Sequence, residues 1–160
     1  MSTRPSSTSF WASYLRYGGE DGYGTDTVWR VIGGGIGLQY GPGSNSCAAR
    51  VSHGLNYGGA PIRNFTAASM NLREHSYEGK AGDGMRYIVS AEQMAVYLRL
   101  VWDAPNSTPS TAAALIKFVD GLKPGQCAIF ATKGHTGVLR SGYSDPYVGG
   151  FLPVAAWVLP

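Results

Sequence analysis

The residue of this chain best suited to covalent chemistry is Cys47. Asn45 and Ser46 stand just before it, and both residue types favour the position that caps the N-terminus of a helix. Apolar side chains then recur at helical spacing, at Ala48, Val51 and Leu55. A thiol in the first turn of a helix meets unpaired N–H groups and the positive end of the helix dipole, which favour the nucleophilic thiolate. We therefore expect Cys47 to be a nucleophile whose own N–H helps to hold an oxyanion, with a plain packing role as the alternative.

Cys127 stands in a different setting. It opens an apolar run and alternates with Ile129 and Ala131, which is typical of a buried strand. Burial among apolar side chains raises the pKa of a thiol, so we expect Cys127 to be a core residue. Two cysteines are too few for a disulfide framework, although a single bridge between Cys47 and Cys127 is an open alternative.

A cysteine nucleophile needs a base, and the chain offers three histidines, His53, His75 and His135. His53 follows Cys47 on the same predicted helix but about 600° further round, so its ring points away from the thiol. His75 stands in a polar segment that is typical of a loop. His135 lies between two predicted strands, where a sheet can present an imidazole to a helix packed on it. We therefore predict that His135 is the base.

Asp145 is the candidate for the group that orients this imidazole. It is the nearest downstream carboxylate and the only acidic residue after His135. Because Pro146 follows it, a plain turn is the alternative role for Asp145. The histidines and cysteines lack the spacing of zinc ligands. The glycine cluster at 33–37 fits neither phosphate-loop pattern, so we expect flexible backbone or tight packing there.

Helices must position the nucleophile. Aromatic and apolar spacing predicts a helix over 10–17, capped by Ser9 and ended by Gly18. A second helix is predicted after Ser90, whose spacing to Gln93 is that of a capping box. Its apolar face consists of Met94, Tyr97, Leu98 and Val101.

The last part of the chain changes to strands. A third helix, over 112–119, points Leu115, Ile116 and Val119 inward and ends at Gly121. The predicted strands are a short one at 87–89 and three more at 126–132, 136–140 and 154–159. Helices followed by an antiparallel sheet predict an α+β fold, and we expect one domain over residues 1–160.

Composition excludes several classes of protein. Of the 160 residues 23 are Gly and only 14% are charged, which excludes a coiled coil and a disordered chain. The net charge is +3 without a basic cluster, so we expect no nucleic-acid partner. Residues 1–9 lack the apolar core of a signal peptide, and no stretch is long and apolar enough for a membrane span, so we expect synthesis in the cytoplasm.

Several segments, taken in order, resemble a known family. They are residues 31–34, 47–52 (Cys-Ala-Ala-Arg-Val-Ser), 59–62, 133–135 and 157–160. Together they resemble the nucleophile region and flanking motifs of the type VI secretion amidase effectors of family 4. That family is similar to the NlpC/P60 cysteine peptidases. The resemblance therefore implies a papain-like core in which N-terminal helices, including the nucleophile helix, pack on a C-terminal antiparallel sheet.

The resemblance also implies a function. It makes Cys47 the nucleophile, His135 the base and Asp145 the residue that orients the histidine, with no cofactor. It implies hydrolysis of peptidoglycan stem peptides at the D-glutamyl–meso-diaminopimelate bond. It further implies delivery by type VI secretion components into the periplasm of target bacteria and a cognate immunity protein. The family pattern leads us to expect an aromatic residue near the end of the strand that follows His135. This chain has Arg140 there and so departs from the pattern.

Two other functions fit the residues. One is a housekeeping or phage-type peptidoglycan hydrolase, which uses the same chemistry in another context. The other is a non-catalytic cell-wall-binding module in which Cys47 only packs. Glycines near the predicted site favour a narrow cleft that an extended peptide approaches closely. At Gly134 we therefore expect bulky replacements to reduce activity more than stability.

Overall fold

The computed structural model describes residues 3–18, 22–41, 43–63 and 81–160, in which helices come first and a small sheet follows. The helices are α1 (Ser7–Ser13), α2 (Thr25–Ile32), α3 (Gly34–Gln39), α4 (Cys47–Tyr57), α5 (Ala91–Trp102) and α6 (Ala112–Asp120). The strands are β1 (Cys127–Ala131), β2 (Thr136–Arg140) and β3 (Ala155–Val158), with a short 3-10 helix at Val148–Gly150. The predicted α+β fold is confirmed.

The three strands form one antiparallel sheet in the order β2–β1–β3. Cys127, Ile129 and Ala131 of β1 pack in one core cluster with side chains of α1, α4 and α5. Ala128 and Phe130 pack in another cluster, together with Leu115 of α6. Alternate side chains of β1 therefore point to opposite faces of the sheet, one covered by α1, α4 and α5 and the other by α6. Because Ala131 pairs with Thr136 across the β1–β2 hairpin, His135 stands immediately before β2 at one end of the sheet.

The first helix begins and ends earlier than its aromatic spacing predicts. Its N-cap is Ser6, whose hydroxyl accepts a hydrogen bond from the Ser9 N–H, so Ser9 lies inside the helix instead of capping it. Helix α1 ends at Ser13, and Tyr14 is already extended. Tyr14 and Leu15 are nevertheless buried, because an extended segment places them in the core. Apolar spacing therefore identified the buried side chains but gave the wrong helix ends.

The glycine cluster forms helical backbone. Gly33 has a φ of 61° and separates α2 from α3, and α3 itself begins at Gly34. A Cβ at Gly37 would lie 2.6 Å from the Trp29 carbonyl oxygen, so this glycine allows α3 to pack closely on α2. Of the two roles expected for the cluster, tight packing is confirmed at this position.

The predicted strand at 87–89 is wrong, because this segment takes its hydrogen bonds from a helix instead of a neighbouring strand. The Ser52 hydroxyl of α4 donates to the Ile88 carbonyl oxygen at 3.0 Å and accepts from the Ile88 N–H at 2.9 Å. The Asn56 side chain, one turn further along α4, donates to the Arg86 carbonyl oxygen at 2.7 Å. Side chains of α4 therefore pair with this backbone in place of a β-ladder.

Helix α5 matches its prediction. The Ser90 hydroxyl caps it by accepting from the Gln93 N–H, and the four predicted apolar positions are buried. In α6, Leu115 is buried and Val119 packs against the core, but Ile116 is 61% exposed and its predicted inward direction is wrong. Phe118 takes part in the packing instead, so the buried stripe is rotated away from Ile116. Within the described ranges, no helix is long and apolar enough to cross a membrane.

Candidate active site

Cys47 is the first residue of α4, as predicted, and its side chain is buried at the helix start. Ser46 occupies the N-cap position but makes no capping bond through its side chain. The Asn45 side chain pairs with the helix start instead, since its Oδ1 accepts a hydrogen bond from the Cys47 N–H at 3.0 Å. The Cys47 N–H that was expected to hold an oxyanion is therefore occupied by the Asn45 side chain in this structure.

His135 is held by the turn between β1 and β2. The Thr132 hydroxyl accepts from the His135 N–H at 2.9 Å and from the Gly134 N–H at 3.2 Å, and it donates to the His135 carbonyl oxygen at 3.0 Å. The Thr132 N–H donates to the same carbonyl oxygen at 2.8 Å. His135 is only 3% exposed, so its backbone and imidazole are both tightly constrained. Sequence reasoning missed this role of Thr132.

Asp145 lies beside His135, as predicted. Its Oδ1 is 2.8 Å from the Nε2 of His135 and also accepts the Tyr147 N–H at 2.9 Å. The carboxylate is fully shielded from solvent. With Nε2 engaged by Asp145, the other ring nitrogen of His135 is left for Cys47, whose side chain lies close enough to raise the pKa of this imidazole.

The charge state of His135 follows from these neighbours. Burial by itself lowers the pKa of an imidazole. Hydrogen bonds and charge attraction to Asp145 and Cys47 outweigh burial here and raise the pKa of His135 from 6.5 to about 9. At neutral pH this favours an imidazolium beside the sulfur, the state in which a cysteine is paired with its proton acceptor.

An open cleft of about 330 Å³ lies over this group. Its walls come from the loop before α4, from the His135 turn and from the segment after Asp145, and it is lined by Tyr17, Thr25, Gly43, Ser44, Asn45, Ser46, Gly134, His135, Tyr147 and Phe151. Tyr147 and Phe151 are 54% and 40% exposed, and both rings contact the imidazole. The cleft therefore has aromatic side chains at its rim and reaches His135, with room for an extended peptide.

A buried cation supports the start of helix α4. Arg50 is only 1% exposed and lies one turn beyond Cys47. Its Nε donates to the Ser46 hydroxyl at 2.9 Å, its Nη1 donates to the Leu15 carbonyl oxygen at 2.8 Å, and its guanidinium lies 3.7 Å from the centre of the Tyr17 ring. Arg50 thus joins the start of α4 to one wall of the cleft. In the sequence, Arg50 stood out only as a member of the Cys-Ala-Ala-Arg-Val-Ser motif, one helical turn beyond Cys47.

The remaining candidates lie elsewhere. Cys127 is a buried free thiol in β1, where burial raises its pKa, and it forms no disulfide with Cys47. His53 directs its Nδ1 to the Ser13 carbonyl oxygen at 2.7 Å, so its ring is engaged with α1. His75 lies outside the described residues. In the part of the chain that the structure describes, no group of three His, Cys, Asp or Glu side chains is arranged to hold a metal ion.

Comparisons with known proteins identify the family of the chain. Residues 44–138 match the family model of the type VI secretion system amidase effector protein 4, Tae4. The effector Tae4 from Enterobacter cloacae superposes with a TM-score of 0.70 at 21% identity, covering 99% of each chain.

Complexes of Tae4 with the immunity protein Tai4 also match. The one from Enterobacter cloacae gives a TM-score of 0.72 at 21% identity, covering 99% of this chain and 100% of the other. The one from Salmonella typhimurium gives 0.69 at 23%, with the same coverage. No curated protein sequence matches the chain. The fold is the papain-like one of the Tae4 effectors, and the family match over more than half of the sequence shows that this chain belongs to the Tae4 family of type VI secretion amidase effectors.

Proposed function

We propose that this chain is a cysteine amidase that hydrolyses the D-glutamyl–meso-diaminopimelate bond of peptidoglycan stem peptides. The observation that carries the proposal is the imidazole of His135, which is hydrogen-bonded to Asp145 at 2.8 Å and lies close enough to the Cys47 side chain for that group to raise the pKa of the imidazole. A thiol, an imidazole and a carboxylate in this order are the parts of a cysteine hydrolase. Family membership supports the amidase reaction, and the resemblance of the motifs supports the bond.

In the proposed reaction His135 already holds the Cys47 proton as an imidazolium, and the Cys47 thiolate attacks the amide carbonyl carbon. A C–S bond forms and the carbonyl electrons move to oxygen. His135 then donates the proton to the leaving amine as the C–N bond breaks, which leaves a thioester. Water attacks the thioester with His135 as base, so the acid product and the Cys47 thiol are released. Asp145 orients the imidazole and stabilises its charged form throughout.

The oxyanion of this reaction needs N–H donors at the helix start. The backbone N–H of Cys47 itself is the natural candidate. In the free protein this N–H donates a hydrogen bond to the Oδ1 of Asn45. We infer that the Asn45 side chain turns away when substrate binds, which releases this N–H to the oxyanion. Asn45 is exposed at the cleft and has room to turn.

We propose in addition that residues 1–160 act as a single amidase domain, delivered by type VI secretion components into the periplasm of target bacteria. A cognate immunity protein would inhibit it by covering the cleft. The complexes of related Tae4 effectors with Tai4 support such a partner. The exposed rings of Tyr147 and Phe151 offer it an apolar contact surface at the rim.

Digestion of purified sacculi followed by mass spectrometry of the muropeptides tests the reaction and the bond together. Wild-type protein should release fragments that end in D-glutamate, with a new amino group on meso-diaminopimelate. Cys47→Ala should release none while remaining folded by circular dichroism. Cys127→Ala is the matched control, because it removes an equally small thiol from the core and should remain active. Activity retained in Cys47→Ala, or cleavage at another bond, would contradict the proposal.

A further inference from the structure

Gly137 is the second residue of β2 and faces Phe130 across the hairpin. A Cβ built on Gly137 would overlap with Oδ2 of Asp145, and it would lie 3.0 Å from Cε1 of Phe130. The Asp145 carboxylate therefore occupies the space in which any other residue at 137 would carry its side chain. A glycine inside a strand weakens the strand, and it often marks such a close approach.

The two carboxylate oxygens of Asp145 are used very differently. Oδ1 accepts from both the His135 ring and the Tyr147 N–H. Oδ2 is buried, and among the described residues it has no hydrogen-bond donor. Hydrogen bonds alone therefore fix only one oxygen, and the position of the other is set by its packing against the bare backbone of Gly137 and the neighbouring Phe130 ring.

We propose that Gly137 is a positioning residue for the proposed catalytic group: the absence of a side chain at 137 lets the Asp145 carboxylate reach His135 in the geometry that keeps Nε2 engaged. This inference rests on the proposed function for its catalytic consequence. Its structural part concerns the free protein and holds whether or not the substrate is correctly identified. Gly137 thus acts through Asp145 and touches no reacting atom.

The test compares wild type with Gly137→Ala. An added methyl group must displace the carboxylate, and a displacement of about 1 Å can reduce the rate about 100-fold. We expect kcat for stem-peptide hydrolysis to fall about 100-fold with KM nearly unchanged. We also expect the His135 pKa, measured by NMR on the free protein, to fall from about 9 toward 6.5. Gly121→Ala is the control, since a Cβ there makes only ordinary contacts of 3.4 Å or more at the exposed end of α6.

A second variant separates positioning from a general loss of stability. If the overlap with Asp145 is the cause, removing the carboxylate should relieve it. Gly137→Ala/Asp145→Ala should then lose clearly less stability than the sum of the two single losses, because only the contact of the new methyl group with the Phe130 ring remains, even if Gly137→Ala by itself folds poorly. The activity loss of the double variant should equal that of Asp145→Ala.

Three results would overturn the inference: an unchanged His135 pKa in Gly137→Ala, wild-type kcat in that variant, or losses of stability that simply add in the double variant. Failure of the proposed function would look different. In that case wild-type protein would leave sacculi intact, or Cys47→Ala would cleave them, while the pKa and stability comparisons would still report on Gly137.

Discussion

Replacing Thr132 with valine should separate the folding of the β1–β2 hairpin from the positioning of His135. Valine keeps the shape of threonine and removes only the hydroxyl, which makes three hydrogen bonds to residues of this turn. Its acceptor role for the His135 N–H, at 2.9 Å, is the important one, because this group is buried. The turn would lose the bond that fixes the backbone from which the imidazole projects.

The size of the effect follows from which groups lose their partners. An unpaired buried N–H costs about 1–3 kcal/mol. Gly134 is exposed, so its N–H can turn to water, and the His135 carbonyl oxygen keeps the Thr132 N–H at 2.8 Å. We therefore expect Thr132→Val to lose about 1–3 kcal/mol of unfolding free energy. Misplacement of the imidazole should reduce kcat by a further factor of roughly 10–100.

Urea unfolding and hydrolysis of a defined stem peptide measure the two effects on the same preparations. Thr132→Ser retains the hydroxyl and should recover most of kcat. Thr136→Val is the matched control, because the Thr136 hydroxyl is also buried in this hairpin but donates to the Phe130 carbonyl oxygen at 2.6 Å. It should lose stability with little change in kcat. Equal kcat losses in the two valine variants, or wild-type kcat in Thr132→Val, would refute the reasoning.

Three further outcomes are expected. The pKa of His135 in the folded protein, about 9, exceeds its ordinary value of 6.5, so its charge stabilises the fold fully below pH 6.5 and this contribution disappears as the pH rises through 9. The difference in unfolding free energy between wild type and His135→Gln should therefore shrink from pH 6.5 to 9, and a constant difference would contradict the pairing. Gly54→Ala, whose Cβ would lie 2.6 Å from the Phe10 ring, should lose about 1–3 kcal/mol of stability, and Phe10→Leu in that background should restore part of it; simple additivity would count against this clash. Tyr147→Ala should raise KM about 3- to 10-fold, because the loss of an aromatic contact costs roughly 1 kcal/mol. The kcat should be largely kept, because the backbone N–H of residue 147 still donates to Asp145. An unchanged KM would show that Tyr147 does not contact the peptide.

Local sequence patterns predicted the elements whose signals are complete within a few residues. Ser90 carries a capping side chain at the expected spacing, and the apolar face that follows it is buried. The strands around His135 show apolar runs separated by a turn. The candidate site followed from the same logic, since Cys47 begins a helix and His135 joins two strands. Composition then left Asp145 as the only acidic residue available beyond His135.

The features that the sequence did not reveal depend on distant partners. The backbone of Ile88 pairs with the Ser52 side chain, and no local pattern distinguishes this from a strand. Gly137 matters only because Asp145 packs against it. Ile116 and Val119 fit the same helical spacing, and only the position of α6 on the sheet decides which one is buried. Tertiary packing, which propensities do not encode, determined each of these outcomes.

The division of the site between a helix and a sheet has a consequence for folding. Cys47 lies on α4, whereas His135 and Asp145 belong to the sheet-forming part of the chain. The whole of α5 and α6 lies between Cys47 and His135 in the sequence. The two halves meet only when α4 docks on β2, which closes a long loop at a cost in chain entropy. Contacts so distant in sequence form slowly. Hydrolysis should therefore appear late in refolding, after helix formation is complete by circular dichroism, and a chain that ends before β2 should be inert.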